Sequence, residues 1–157
     1  MTTIIYDHKA LQVAVDSRCT SGSIIINDRA KKWREINGSY YFFAGPVSDI
    51  EQFIKLDGIR GKPDHANEVI CVKITDHVAY LCGIDADDGW WQEEFEFSDG
   101  AGSGRFFALS ALDFGKTAKQ AVEYAATRDV YTGGQVEVFD ILKMTFISQH
   151  KNNGVMK

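Results

Sequence analysis

Asp129 and Thr132 are the residues whose placement in the sequence most suggests chemistry. They lie in the stretch RDVYTGG, which follows a predicted helix and runs into a double glycine. A carboxylate at the C-terminal end of a helix is unfavourable with the helix dipole, so its position beside a hydroxyl suggests a task beyond ending the helix. The simpler interpretation is that Gly133 and Gly134 only terminate the helix.

A second group of polar residues lies nearer the start of the chain. The stretch VDSRCTSG places Asp16 at the end of a predicted strand and Thr20 shortly before a glycine. The stretch AKKW places Lys31 and Lys32 directly before Trp33. Adjacent lysines are usually a solvated pair, whereas a lysine buried between carboxylates would be a candidate for a site, because burial readily shifts its pKa.

Ser103 lies in the glycine-rich stretch GAGSG, between a predicted strand and a predicted helix. A dinucleotide fingerprint would need glycine at position 105, where the chain has Arg105, and no P-loop ending follows. The nucleophile elbow of many hydrolases would need glycine at position 101, where the chain has Ala101. Ser103 is therefore either a helix cap or a hydroxyl presented to a site.

The sequence predicts neither a metal nor a cofactor. The acidic stretch DADDGWW has its glycine at the fifth rather than the sixth position of a calcium-binding loop. No His-x-x-x-His pair supports zinc, and no Cys-x-x-Cys pair supports redox chemistry. The spacing of the residues alone leaves a Ser-His-Asp triad open. The histidines are scattered, at His8, His65, His77 and His150.

Length and composition favour a single globular domain. We expect it to span residues 1–157 of the 157-residue chain, with 150–157 as a frayed tail. The net charge of −5 argues against nucleic acid as a partner. The apolar runs IIIN and YYFFAG are too short to cross a bilayer, and the start MTTIIYD has no targeting signal. Three cysteines without a secretory context indicate reduced thiols and a cytoplasmic location.

Hydrophobic periodicity predicts many strands and few helices. Strands are predicted over 3–8 and 11–17, in SIIIN, SYYFFAG, EVICVKI, VAYLCGI and WWQEEFEF, and in GGQVEVFDI and KMTFISQ. The stretch SDGAGSG is expected to break this pattern. One helix is predicted through IEQFIKL with Ser48 or Asp49 as its cap, and a later helix pair is divided by Gly115 and capped by Thr117. Two face-to-face sheets with helices outside accommodate about ten such strands.

These pieces together resemble the β subunits of proteasomes, and among them the bacterial HslV-type peptidase in particular. The resemblance runs from Thr2 to about Val138, through AVDSRCTSG, AKKW, FFAG, GSG and RDVYTGGQVEV in that order. It implies an α+β fold, the four-layer αββα sandwich of the N-terminal-nucleophile (Ntn) hydrolases. The family places two long helices after FFAG, where this chain has only DIEQFIKL, so we expect one outer helix layer to be reduced.

The resemblance also implies catalytic residues. Thr2 matches the nucleophilic N-terminal threonine, which is exposed once Met1 is removed. Gly45 matches the glycine whose N–H binds the oxyanion. Asp16 matches the carboxylate at a strand end, two residues early, as a shortened first hairpin would produce. The other matching site residues are Lys32, sixteen residues after Asp16 as in the family, Ser103, Asp129 and Thr132.

Three residues are expected to bind substrate. Thr20 and Gly45 should offer main-chain groups on two sides, so that the substrate adds as a strand. Phe43 matches a residue that lines the pocket for the side chain preceding the cut bond, and its bulk should favour small or slender side chains. Alternation along YYFF leaves open that Phe43 faces the core instead.

The implied activity is that of a threonine-type endopeptidase that needs no cofactor. It would cleave peptides or unfolded proteins as a homo-oligomeric ring, with an ATPase partner that the sequence does not identify. Two alternatives stay open: a catalytically silent scaffold subunit that keeps the fold, and an amidase that acts on non-peptide substrates, because fold alone does not determine the substrate.

Overall fold

The fold is described from a computed structural model, for residues 1–147. The predicted frayed tail at 150–157 and His150 lie outside the described residues. The strands are β1 (Thr3–Asp7), β2 (Gln12–Val15), β3 (Cys19–Ser21), β4 (Ile24–Asn27), β5 (Trp33–Ile36), β6 (Ser39–Ala44), β7 (Ile70–Thr75), β8 (Val78–Asp85), β9 (Gly89–Glu94), β10 (Asp99–Gly102), β11 (Glu137–Asp140) and β12 (Thr145–Phe146). The helices are α1 (Val47–Lys55), α2 (Arg105–Asp113) and α3 (Ala118–Ala126).

Ten of these strands form two five-stranded antiparallel sheets. The first sheet has the order β10-β1-β2-β11-β12, and the second has the order β5-β6-β7-β8-β9. The sheets pack face to face around a core that contains Ile4, Val13 and Phe139 from the first sheet and Phe42 and Val72 from the second. The remaining two strands, β3 and β4, form a separate hairpin.

Strand alternation divides β6 between two cores, because successive side chains of a strand point to opposite faces. Tyr40 and Phe42 pack in the core between the sheets. Tyr41 and Phe43 pack on the opposite face, against Phe53 of α1. The alternation predicted for YYFF is therefore confirmed, and β6 is buried on both sides.

Helices cover the outer face of each sheet, which completes the four layers. The pair α2 and α3 packs on the first sheet through small residues such as Ala108 and Ala121, which contact Ile5 and Ala14. Among residues 1–147, α1 is the one helix that covers the second sheet. The predicted αββα sandwich with one reduced helix layer is confirmed.

The helix pair follows the sequence prediction, whereas the cap of α1 does not. Gly115 separates α2 from α3, and Thr117 caps α3 in a capping box with Gln120. The predicted cap of α1 at Ser48 or Asp49 is wrong, because the chain turns into the helix at Pro46 with no side-chain cap.

Three strands were missed from the sequence, namely β3, β5 and β10; β3 is short and pairs only with β4. Asp99–Gly102, within the stretch that we expected to break the pattern, forms β10 beside β1. Glycine is required there because a Cβ on Gly100 would lie 2.0 Å from the carbonyl oxygen of Ile4. Trp33–Ile36 forms β5 against β6. In β10 and β5, pairing with a neighbouring strand outweighs the weak β-propensity of the local sequence.

Candidate active site

Thr2 lies directly before β1 and is almost entirely buried, whereas Met1 is exposed. The backbone of Thr2 lies very close to the backbone of β10. A Cβ on Gly102 would lie 1.6 Å from the carbonyl oxygen of Thr2, so only glycine can occupy that position. Alternation along β1 places the Thr2 side chain on the same side as Ile4, and Thr3 on the side of α2 and α3.

Asp16, the first residue after β2, is buried and links several parts of the chain. Its Oδ1 accepts hydrogen bonds from the backbone N–H of Thr3 at 3.0 Å and from Nζ of Lys32 at 2.9 Å. Its Oδ2 accepts the N–H of Gly133 at 3.0 Å. These contacts link Asp16 to the start of β1, to the Lys32 side chain and to the segment before β11.

Lys32 points from the segment before β5 toward the N-terminus. Its Nζ donates to the carbonyl oxygen of Met1 at 3.1 Å as well as to Asp16. Burial lowers the pKa of Lys32, and the charge of Asp16 opposes this shift without cancelling it. Lys32 is thus the buried lysine beside a carboxylate that would mark a site, and it adjoins the Met1–Thr2 peptide bond.

Asp129 receives three hydrogen bonds behind β1. Its Oδ2 accepts from Oγ of Ser103 and from Oγ1 of Thr132, both at 2.6 Å, and its Oδ1 accepts the N–H of Tyr131 at 3.2 Å. Burial acts to raise the pKa of Asp129, but the hydrogen bonds from Ser103, Thr132 and Tyr131 outweigh it and lower the pKa. The positive charge of the N-terminal amine adds to this lowering.

Thr3 belongs to the same network, although the sequence did not indicate it. Its Oγ1 lies 2.6 Å from Oγ1 of Thr132. The single hydroxyl proton of Thr132 is donated to the carboxylate of Asp129, so Thr3 must be the donor to Thr132. Gly104 leaves room for this pair, because a Cβ there would lie 2.0 Å from Oγ1 of Thr3.

Ser103 does not cap α2. The residue at the cap position of the helix is Gly104, which provides no side-chain hydrogen bond, and the Ser103 hydroxyl instead bonds Asp129. The interpretation of Ser103 as a helix cap is therefore wrong. Its hydroxyl positions the carboxylate that follows α3.

Gly45 follows β6 with a φ of +136°, a conformation that side chains rarely adopt. A Cβ there would lie 2.9 Å from the carbonyl oxygen of Glu68. The N–H of Phe43 donates to the carbonyl oxygen of Lys32 at 2.9 Å, which places the end of β6 beside the lysine. Gly45 and Thr2 line the same cavity.

A cavity of about 670 Å³ lies in front of Thr2. Five of the predicted site residues line it, namely Thr2, Thr20, Lys32, Phe43 and Gly45. The other four, Asp16, Ser103, Asp129 and Thr132, do not line it and lie behind β1 in the hydrogen-bond networks described above. The structure therefore brings all nine into one region, five around the cavity and four in the hydrogen-bond networks next to it.

Phe43 both borders the cavity and belongs to a core. Its side chain is 4% exposed, and its ring lies 6.1 Å from the ring of Tyr41 and 5.9 Å from that of Phe53. It also lines the cavity beside Ile50. The two interpretations of Phe43 from the sequence are thus compatible.

Within residues 1–147 the structure groups no three metal-ligating side chains in a way that would hold a metal ion. His8 and His77 bond elsewhere, to the hydroxyl of Tyr6 and to the carbonyl oxygen of Ile141. No helix in this range is long and apolar enough to cross a membrane.

Comparisons with known proteins find similarity in structure but not in sequence. No protein-family model and no curated protein matches the chain. HslV from Trypanosoma brucei is similar in structure with a TM-score of 0.67 and 22% identity, over 88% of this chain and 99% of that one. BPH from Thiobacillus denitrificans, solved in complex with epoxomicin, has a TM-score of 0.66 and 14% identity, over 88% and 97% of the two chains.

These similarities establish the fold. The chain has the fold of proteasome-like and HslV-type subunits, and the resemblance seen in the sequence is confirmed at that level. Identities of 14% and 22% carry no residue roles from these proteins to this chain.

Proposed function

We propose that the chain is a threonine-type peptidase in which Thr2 acts as the nucleophile after Met1 is removed. The observation that carries the proposal is the position of Lys32, whose Nζ bridges Oδ1 of Asp16 and the carbonyl oxygen of Met1. A buried ammonium group at the peptide bond preceding Thr2 would adjoin the new N-terminus once that bond is cut.

The α-amine of Thr2 would serve as the base. An α-amino group has a pKa of about 8, which suits proton transfer near neutrality. The Thr2 hydroxyl would attack the substrate carbonyl and form an acyl-enzyme, the amine would pass the hydroxyl proton to the leaving nitrogen, and water would hydrolyse the ester. Met1, while present, keeps the nitrogen of Thr2 in an amide, so that species is inactive.

The surrounding residues take separate roles in this proposal. Lys32, held by Asp16, stabilises the charge that develops at Thr2. The N–H of Gly45 binds the oxyanion, an interaction worth about 3 kcal/mol in comparable sites. Asp129 would favour the protonated form of the Thr2 α-amine through its charge, just as the positive charge of the present N-terminal amine, that of Met1, acts to lower the pKa of Asp129.

Substrate and assembly follow as further parts of the proposal. Peptides or unfolded proteins would bind as an added strand between Thr20 and Gly45, which line the cavity. We also propose that the chain forms a homo-oligomer, which could be a ring that works with an ATPase partner. The hairpin β3–β4 supports assembly, because its consecutive residues Ile24, Ile25 and Ile26 are exposed on both faces.

Intact-mass measurement and one pair of variants test the activity. The proposal expects the mass to be lower by one methionine, and a fluorogenic peptide panel to be hydrolysed. Thr2→Ala should abolish hydrolysis with the fold intact, whereas Thr2→Ser, which keeps a hydroxyl, should retain part of it. Full activity of Thr2→Ala would exclude this mechanism. Retained Met1 and an inactive chain would favour the scaffold alternative.

A further inference from the structure

The cavity in front of Thr2 is lined by an excess of basic residues. Four cationic side chains line it, those of Arg18, Lys31, Lys32 and Arg34, against the single carboxylate of Glu68. The chain as a whole has a net charge of −5, so this lining is opposite in sign to the rest of the molecule. A cleft lined by one sign of charge concentrates ligands of the other sign.

Three of the four cations already have a carboxylate partner within the chain. These ion pairs are Lys32 with Asp16 at 2.9 Å, Arg18 with Asp28 at 2.8 Å, and Arg34 with Glu51 at 2.5 Å. Arg18 is further fixed by donating to the carbonyl oxygen of Val130 at 3.2 Å. Lys31 is the fourth cation that lines the cavity, and its contacts differ from those of the other three.

Lys31 has no carboxylate within 4.0 Å among residues 1–147, by the same distance that defines the other pairs. Its Nζ lies 3.9 Å from the centre of the Trp33 ring. That ring is itself held, because Nε1 of Trp33 donates to Glu137 at 2.8 Å. The aromatic face supports the ammonium group without neutralising its charge, so its hydrogen-bond donors stay free for an anion.

Lys31 places its positive charge on the same cavity as Thr2, the proposed nucleophile. Lys31 precedes Lys32, which contacts the Met1 carbonyl, and the backbone of Lys32 is bonded to Phe43. Lys31, Phe43 and Thr2 thus border one cavity. A side chain on the acyl side of a bond attacked by Thr2 would enter that cavity. The bulk of Phe43 leaves room for a slender side chain.

We propose that the site selects peptides with an acidic residue, Asp or Glu, immediately before the cut bond, and that Lys31 is the specificity-determining residue. The inference rests on the proposed function, since it assigns the substrate class of the same site. The side-chain carboxylate of the substrate accepts hydrogen bonds from the ammonium group of Lys31, which has no such partner among residues 1–147.

Matched peptides test this selection. With a fluorogenic series that differs only at the residue before the cut, kcat/KM should be about tenfold higher for Glu than for Gln, as expected for hydrogen bonds to a charged group. Asp should exceed Asn similarly. Lys31→Gln should remove the preference, Lys31→Arg should keep it, and Lys31→Glu should reverse it. The preference should also weaken at high salt, because the pair is screened.

A control variant separates local from overall charge. Lys116→Glu makes the same change in net charge between α2 and α3, away from the cavity, and should leave the ratio of Glu to Gln unchanged. Equal loss of the preference in Lys116→Glu and Lys31→Glu would assign it to net charge and overturn the proposal.

Binding measurements distinguish failure of this inference from failure of the proposed function. Thr2→Ala should bind acetylated peptide amides ending in Glu more tightly than those ending in Gln in calorimetry, and Lys31→Gln in the same background should not. Hydrolysis with no preference for the acidic residue overturns the inference alone. If binding of the Glu peptide depends on Lys31 but the chain with Thr2 intact hydrolyses no peptide, the proposed peptidase activity fails and the recognition of acidic residues stands. Equal binding and equal cleavage of both peptides overturn the inference.

Discussion

Nζ of Lys32 lies 2.9 Å from Oδ1 of Asp16, although the two residues are separated by a hairpin in the chain. The lysine side chain is 9% exposed and the aspartate side chain is fully buried. Removing one partner of such a pair leaves the other as an unpaired buried charge, which costs more than the pair itself contributes. The pair therefore holds the Lys32 ammonium group beside the N-terminus, where it also contacts the carbonyl oxygen of Met1.

Lys32→Ala should reduce kcat/KM for peptide hydrolysis by about 100-fold, as expected when a preorganised charge is removed from a developing negative centre. Lys31→Ala is the matched control, because it removes a neighbouring lysine that pairs with no carboxylate in the described part of the chain. It should leave the cleavage of neutral peptides within about twofold. A silent Lys32→Ala together with a damaging Lys31→Ala would mean that the alignment with the family is shifted by one residue.

Asp129→Asn should lower the free energy of unfolding by about 2 kcal/mol near neutral pH, because a carboxylate with three donors is lost. The pKa of Asp129 is lowered from 3.8, so the folded state favours the ionised form. Its contribution is present above pH 3.8 and is lost as the pH falls through the lowered pKa.

Urea unfolding at several pH values measures this difference. The difference in unfolding free energy between the parent chain and Asp129→Asn should narrow as the pH falls from 3.8 through the lowered pKa, because the carboxylate becomes protonated first in the unfolded state and then in the folded state as well. Hydrolysis by Asp129→Asn should fall by less than in Lys32→Ala, because Asp129 does not line the cavity. A gap that is constant with pH would mean that the ionised carboxylate is not what stabilises the fold.

Phe43→Ala should affect both stability and specificity. Truncation of a buried phenylalanine costs about 3 kcal/mol, and the freed volume borders the cavity, so cleavage should broaden toward aromatic side chains. Phe53→Ala is the control, because its side chain is fully buried in the same core and does not line the cavity. A lower melting temperature with the same substrate profile in both variants would assign Phe43 to the core alone.

Ile25→Asp should weaken self-association. The residue lies on the exposed hairpin β3–β4, with 49% of its surface accessible, and a charge there would be costly to bury between copies of the chain. Light scattering after size exclusion should show a lower mass than for the parent chain. The control is Phe114→Asp, a more exposed residue at the end of α2. An unchanged mass in Ile25→Asp would remove the hairpin from the interface.

Local features of the sequence determined the helices and the general layering. Gly115 ends α2 and Thr117 caps α3 through contacts with residues only a few positions away. The division and capping of the helix pair could therefore be predicted from residue type. The two faces of β6 could be predicted as well, because alternation is a property of any strand. The order of short motifs pointed to the fold, and with it to the group of candidate site residues.

The tertiary structure decided which of these residues meet and in what role. Thr3 and Thr132 are 129 positions apart in the chain, and nothing local to either indicates that their hydroxyls lie 2.6 Å apart. The strand β10 forms from a glycine-rich stretch only because β1 approaches it too closely for side chains. Such contacts depend on register between distant strands, where a shift of one residue exchanges the faces on which Thr2 and Thr3 lie.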